Sequence, residues 1–252
     1  MAARLRVDLN CDVGEGFSDD PELMAIITSA NIACGGHTGD EDSMARTVSL
    51  ALAHGVGIGA HPSLLDREGF GRREIPVGIE EIEEQVVSQI LLLRQIARCR
   101  GAELSHVKPH GALYSMAARD PAIGAAVVRA VGRAASGRVL FVLSRSLLAR
   151  QARDAGLATA EEAFADRGYQ DDGSLARRGA PGSIVSDPGE VAARALGMVM
   201  EGTVHSVSGA AIAVRADTLC IHGDEPGAAQ RARALVAALR AEGIEVRRFS
   251  AA

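Results

Sequence analysis

Leu104-Ser-His-Val-Lys-Pro-His-Gly-Ala-Leu-Tyr114 runs a short, mostly apolar segment straight into a knot of polar, reactive side chains. The proline after Lys108 pushes the preceding residue into extended backbone, so Leu104–Val107 reads as a strand that ends at Lys108. The same grammar recurs along the chain. Strands are expected at Leu5–Asn10, Ala30–Cys34, Val56–Ala60, Val139–Leu143, Ala160–Ala165 and Leu219–His222. Amphipathic stretches lie between them. Ile79, Ile82, Val86, Ile90, Leu93 and Ala97 return at three- and four-residue spacing, which is one face of a helix. Asp40 suits the N-cap of a second helix carrying Met44, Val48 and Ala51, and a last long helix spans roughly Pro226 to Ala241. A final strand, Ile244–Phe249, is expected to add to a sheet edge. Seven strand–helix units imply a parallel sheet, either closed as a barrel or open and doubly wound. No Gly-Ser or Pro-rich linker divides residues 1–252, which therefore read as a single domain, with the Gly-, Asp- and Arg-rich segment Gly168–Pro188 as a long loop.

Composition agrees with this class. Hydrophobic residues make up 47% of the chain with no Trp, so the core must be built from Ala, Val, Leu and Ile, as parallel strands under helices allow. A net charge of -5, without a basic stripe, argues against a nucleic-acid partner. The segment Met1–Asp8 contains no apolar run of signal-peptide length, and no later run is long enough to span a bilayer. Cys11, Cys34, Cys99 and Cys220 form no CxxC pair and read as buried thiols in a reducing compartment. The expectation is a cytoplasmic protein with no membrane association.

Chemistry gathers at the strand ends. Lys108 is the single lysine beside 26 arginines (27 Lys+Arg in all), which points to a site where a guanidinium will not serve. Asp8, Asn10, Asp12 and Glu15 cluster at the end of the first strand, His37 and Asp40 after the second, and His61 after the third. Lys108 and His110 follow the fourth, Asp166 the sixth, and His222 with Asp224 the last. In a parallel α/β fold the carboxyl ends of all strands lie on one face, so these groups would converge. Each also has a structural alternative: Asp8 and Asn10 could satisfy backbone donors at the rim, and Asp40 could serve only as a cap. His54 and His205 read as surface residues, and the role of His106 stays open. Asp12, His61 and His110 form a donor set for a divalent metal such as Zn, Mn or Mg. Arg72 and Arg73, in Gly69-Phe-Gly-Arg-Arg73, could clamp a carboxylate or phosphate or lie in a solvated loop. A Gly-Lys-Ser/Thr phosphate loop is excluded, because the only lysine precedes Pro109.

The segments Asp8-Leu-Asn-Cys-Asp-Val-Gly-Glu-Gly-Phe17, Ser29-Ala-Asn-Ile-Ala-Cys-Gly35, Gly59-Ala-His-Pro62, Gly69-Phe-Gly-Arg-Arg73, His106-Val-Lys-Pro-His-Gly-Ala-Leu-Tyr114, Phe164-Ala-Asp-Arg167 and His222-Gly-Asp224 together resemble the LamB/YcsF family. The resemblance covers the whole chain in family order. It implies a (β/α) barrel of the glycoside hydrolase/deacetylase kind. It also implies the role of the A component in an ATP-hydrolysing 5-oxoprolinase, working with two further components, B and C, on 5-oxo-L-proline. ATP is then a cosubstrate of the complex. In that reading Lys108, Asp12, Glu15 and His110 are catalytic. Lys108 neutralises developing charge, Asp12 or Glu15 acts as base, and His110 moves a proton. Asn10, His37, His61, Arg72, Arg73, Asp166, His222 and Asp224 bind substrate, Arg72 or Arg73 holding its carboxylate. Three departures bear on pocket shape: Gly36 stands where the family usually has Phe, Thr38 where it has Ala, and Ser63-Leu-Leu65 where it has Gly-Tyr-Pro. Two other readings stay open, a metal-dependent deacetylase or amidohydrolase that needs no ATP, and a non-enzymatic subunit that presents substrate.

Overall fold

The structure, a computed structural model, describes residues 5–250. In chain order the strands are β1 (Arg6–Val13), β2 (Ser29–Ala33), β3 (Gly57–His61), β4 (His106–Val107), β5 (Val139–Leu143), β6 (Thr159–Phe164), β7 (Thr203–His205), β8 (Ala211–Ala213), β9 (Thr218–Ile221) and β10 (Glu245–Val246). The helices are α1 (Asp20–Met24), α2 (Glu41–His54), α3 (Ile79–Arg98), α4 (Gly111–Arg119), α5 (Pro121–Ala134), α6 (Leu147–Asp154), α7 (Pro188–Leu196), which runs on into a π-helical turn, and α8 (Ala228–Ala241).

Parallel pairing runs β1-β2-β3-β4-β5-β6-β9, and β9 pairs back onto β1 from Asp8↔Thr218 to Cys11↔Ile221. The sheet is thus a closed seven-stranded barrel, which settles the choice between closed and open left by the strand count. β10 departs from expectation. It is shorter than Ile244–Phe249 and joins no edge, because closure leaves none; instead it pairs with Arg6 and Val7, below the point where β2 and β9 flank β1. The hairpin of β7 and β8 lies outside the barrel, and its two strands are antiparallel.

Alternation along β1 sorts the side chains. Val7, Leu9, Cys11 and Val13 are buried in the apolar core. Asp8, Asn10 and Asp12 point the other way, into the barrel, as a period of two requires. The helices close the outside. α3 buries Ile82, Val86, Ile90 and Leu93. α2 starts at Asp40, whose carboxylate accepts from Ser43 N while the Ser43 hydroxyl accepts from Asp40 N. That capping box fixes where the chain turns after β2. Cys11, Cys34 and Cys220 are buried as expected, but Cys99 is exposed: it follows the last turn of α3, where the apolar face has ended.

Candidate active site

The barrel interior is a hydrogen-bonded polar column. At its floor Asp8 accepts from Thr28, Ser29 and Thr218, tying β9 to the start of β2. One layer up, Asn10 donates to Glu162 (2.9 Å) and Thr218 (2.7 Å). Asn31 donates to Asn10 Oδ1 and Asp12 Oδ1, both at 2.8 Å, and accepts from His106 Nε2 at 2.8 Å. His106 therefore points inward, and room for its ring exists because β3 has glycine opposite. A Cβ on Gly59 would stand 2.0 Å from His106 Nε2.

Lys108 caps this column. Its Nζ lies 2.9 Å from Glu162 Oε1, 3.0 Å from Asp12 Oδ1 and 3.2 Å from Asn10 Oδ1, so three oxygens take its three protons. Cys220 Sγ is 3.1 Å away, and Phe164 turns its ring face toward the ammonium. Burial opposes the charge on Lys108, but the surrounding acidic groups, Asp12 foremost, hold its pKa well above the usual value. Burial likewise opposes ionisation of Asp12, yet His61 and Lys108 keep its carboxyl well below the usual range. Glu15 behaves oppositely: burial, reinforced by the charges of Asp12 and Asp224, pushes its carboxyl well up.

Above Asp12 sit three histidines. His61 Nδ1 meets Lys108 O at 2.7 Å, and His110 Nε2 meets Phe70 O at 2.9 Å. The remaining nitrogens, His61 Nε2 and His110 Nδ1, face one another at 2.9 Å. His37 stacks on His110 with ring centroids 3.7 Å apart and contacts Glu15 through Nε2 at 2.8 Å. Burial lowers the pKa of His37 to about 3. The loop carrying Phe70 is held close by glycine: a Cβ on Gly111 would lie 2.4 Å from Gly71 O, and both residues have positive φ.

These groups open into a cavity of about 780 Å³. Asp12, Glu15, His61, Lys108, His110, Arg72, Arg73, His222 and Asp224 all line it. Asn10, His37 and Asp166 stand behind the wall: Asn10 holds Lys108, His37 backs His110, and Asp166 accepts from His222 N at 2.8 Å while also facing its Nδ1. The two arginines are unequal. Arg73 is engaged by Asp66 on the outer side, whereas Arg72 pairs with Asp224 and lies over Phe70. Among the departures noted above, Gly36 and Ser63 interlock. Gln89 bridges Ser63 through both backbone groups, and a Cβ on Gly36 would fall 2.4 Å from its Oε1.

Glu162 is the group sequence reasoning missed. It is fully buried against Lys108, and its signal was a pair of glutamates within an apolar strand, Thr159-Ala-Glu-Glu-Ala-Phe164. Among the described residues two groups have metal-ligand spacing: Asp12, Glu15, His61 and His110; and Asp12, Cys220 and His222. In the second, the Lys108 ammonium already contacts both Asp12 and Cys220. In the first, the ammonium meets only Asp12 Oδ1 and leaves Oδ2 facing His61.

Comparison with known proteins accords with this architecture. The LamB/YcsF family profile matches residues 7–252. The 5-oxoprolinase A component of Heliobacterium modesticaldum is 48% identical over 248 residues, covering 96% of this chain and 98% of that one. Its counterpart of the same name in Bordetella pertussis is 47% identical over 245 residues, covering 95% and 97%. The crystal structure of a lactam utilization protein from Thermus thermophilus superposes with a TM-score of 0.90 at 46% identity, covering 97% of this chain and all (100%) of that one. The T48 deacetylase, 16% identical with a TM-score of 0.51 over 97% of this chain and 88% of that one, shares the fold alone.

Proposed function

This chain belongs to the LamB/YcsF family, and from that premise we propose that it is the ring-opening subunit of an ATP-dependent 5-oxoprolinase. The complex would convert 5-oxo-L-proline to L-glutamate with hydrolysis of ATP to ADP and phosphate, with two further components, B and C. The observation that carries this reading is the buried Lys108, saturated by Asp12, Glu162 and Asn10 at the base of a cavity rimmed by acid–base groups.

A five-membered lactam is a stable amide, so coupling to ATP has a chemical purpose. Phosphorylation of the lactam oxygen makes the ring carbon electrophilic. Water adds to that carbon, and the C–N bond breaks as the ring nitrogen takes a proton. The product, γ-glutamyl phosphate, gives L-glutamate and phosphate with a second water. Lys108 neutralises charge developing on the oxygen or phosphoryl group in a site shielded from water. Asp12, an anion, orients and deprotonates the attacking water, with His110 passing the proton on. Burial pushes the Glu15 carboxyl well up, which suits this second candidate base to exchange a proton with the ring nitrogen. Arg72, on the cavity wall, holds the substrate carboxylate. A divalent cation on Asp12, His61 and His110 would supply Lewis-acid polarisation when bound.

The test is glutamate release and ADP formation from 5-oxoproline and ATP, with this chain alone, the partner proteins alone, and all three mixed. Matched glutamate and ADP from the full mixture only is the expected result. Equal activity with Lys108→Ala would remove Lys108 from the mechanism, and glutamate from the partners alone would reduce this chain to a presenting role.

A further inference from the structure

We propose that Asp12, His61 and His110, with Glu15 on the fourth side, bind one divalent transition-metal ion in the folded chain. The inference is read from hydrogen-bond direction and stands apart from the lactam reaction.

A backbone carbonyl can only accept. His61 Nδ1 therefore carries the hydrogen in its 2.7 Å contact with Lys108 O, and His110 Nε2 carries it in its 2.9 Å contact with Phe70 O. In neutral rings both opposing nitrogens, His61 Nε2 and His110 Nδ1, are then bare lone pairs, and they face each other at 2.9 Å. Asp12 Oδ2 adds a third lone pair 3.2 Å from His61 Nε2, and Glu15 Oε1 stands 3.6 Å from His110 Nδ1. His61 Nε2, His110 Nδ1 and Asp12 Oδ2 are three acceptors with no donor among them. A shared proton reconciles two of these atoms, whereas a metal ion reconciles all three.

The spacing fits an ion. Two nitrogens on one metal at about 2.0–2.1 Å stand about 2.9 Å apart at a right angle and about 3.3 Å apart at the tetrahedral angle. Asp12 is divided to match: Oδ1 receives Lys108 and Asn31, leaving Oδ2 for the ion. The outer partners are those that orient metal-binding imidazoles, a carbonyl behind each ring. One of them comes at a cost, since Phe70 sits at φ 54, a left-handed conformation rare for a bulky side chain. That conformation presents its carbonyl to His110. Two imidazoles with carboxylates select a borderline cation such as Zn²⁺, Mn²⁺, Fe²⁺ or Co²⁺ over Ca²⁺.

The experiment is titration of chelator-stripped protein with Co²⁺, followed by visible absorption, with Zn²⁺ as competitor. One saturable equivalent with nitrogen-ligated bands, displaced by Zn²⁺, is expected. His61→Asn and His110→Asn weaken binding by more than about 100-fold, the upper end of what loss of an outer partner does. His54→Asn and His205→Asn, both at exposed positions, leave it unchanged. Should the buried substitutions fail to fold, nitrogen-15 spectra of the unmutated protein decide: Zn²⁺ must move His61 Nε2 and His110 Nδ1 and leave the carbonyl-bonded nitrogens protonated. No saturable Co²⁺ binding, binding indifferent to both substitutions in folded protein, or unmoved imidazole resonances would each overturn the site and leave a proton shared between the rings.

Discussion

Lys108 and Glu162 form a buried charge pair whose members are each nearly inaccessible. Removing one member of such a pair strands the other in the interior, at a cost of about 3–5 kcal/mol. Lys108→Ala is therefore expected to lower the unfolding free energy by that order and to abolish glutamate formation. Lys108→Arg should restore some stability without activity, because a planar guanidinium cannot reproduce three converging ammonium contacts. Chemical denaturation and the coupled assay separate the two effects. His106 supplies a pH prediction. Burial foremost lowers its pKa from 6.5 to about 3, so the unfolded chain binds the proton more readily across that interval. Its contribution is complete above pH 6.5 and drains away as pH falls toward 3, at up to about 1.4 kcal/mol per pH unit. A His106→Gln variant should show a shallower decline in urea midpoint between these limits. At this scale the sequence was partly legible. Lys108 stood out by rarity and the strand-end histidines by their Gly and Pro neighbours, but Glu162 was marked only by a Glu-Glu pair inside an apolar strand, and the ring tautomers depend on carbonyls far away in the chain.

β3 illustrates what an element must give up to make the site. Gly57 and Gly59 are poor strand formers, yet the His106 ring occupies the volume a Cβ on Gly59 would take. Gly59→Ala should overpack the barrel and cost about 1–3 kcal/mol, read as a shift in urea midpoint with little change in slope. Gly111→Ala at the start of α4 meets both a positive φ and the Gly71 carbonyl, and should also loosen the Phe70 loop, visible as faster amide exchange at residues 69–72. Most barrel strands were readable to within a few residues, because strands buried on both faces are short apolar runs bounded by polar turns. β7 and β8 were not, since three-residue strands on the surface carry no period.

Across the whole molecule, the interior of the barrel is polar while its apolar core lies between strands and helices. Asp8 anchors the lowest layer through three hydroxyl donors, from Thr28 just before β2, Ser29 at its start and Thr218 on β9. Asp8→Ala leaves those hydroxyls without their acceptor, and a loss of roughly 2–4 kcal/mol in global stability is expected by calorimetry or urea titration. From the strand count alone closure was one of two topologies, because the pairing of β9 with β1 joins segments far apart in the chain and has no local signature; the family resemblance is what implied a barrel. The scarcity of lysine acquires a practical meaning in this setting. The only side-chain amine of the chain is buried inside the barrel, so isotope labelling of lysine alone reduces the spectrum to a single residue, reporting directly from the candidate site. Amine-directed reagents, conversely, meet an almost inert exterior, and any side chain they modify announces that the barrel has opened.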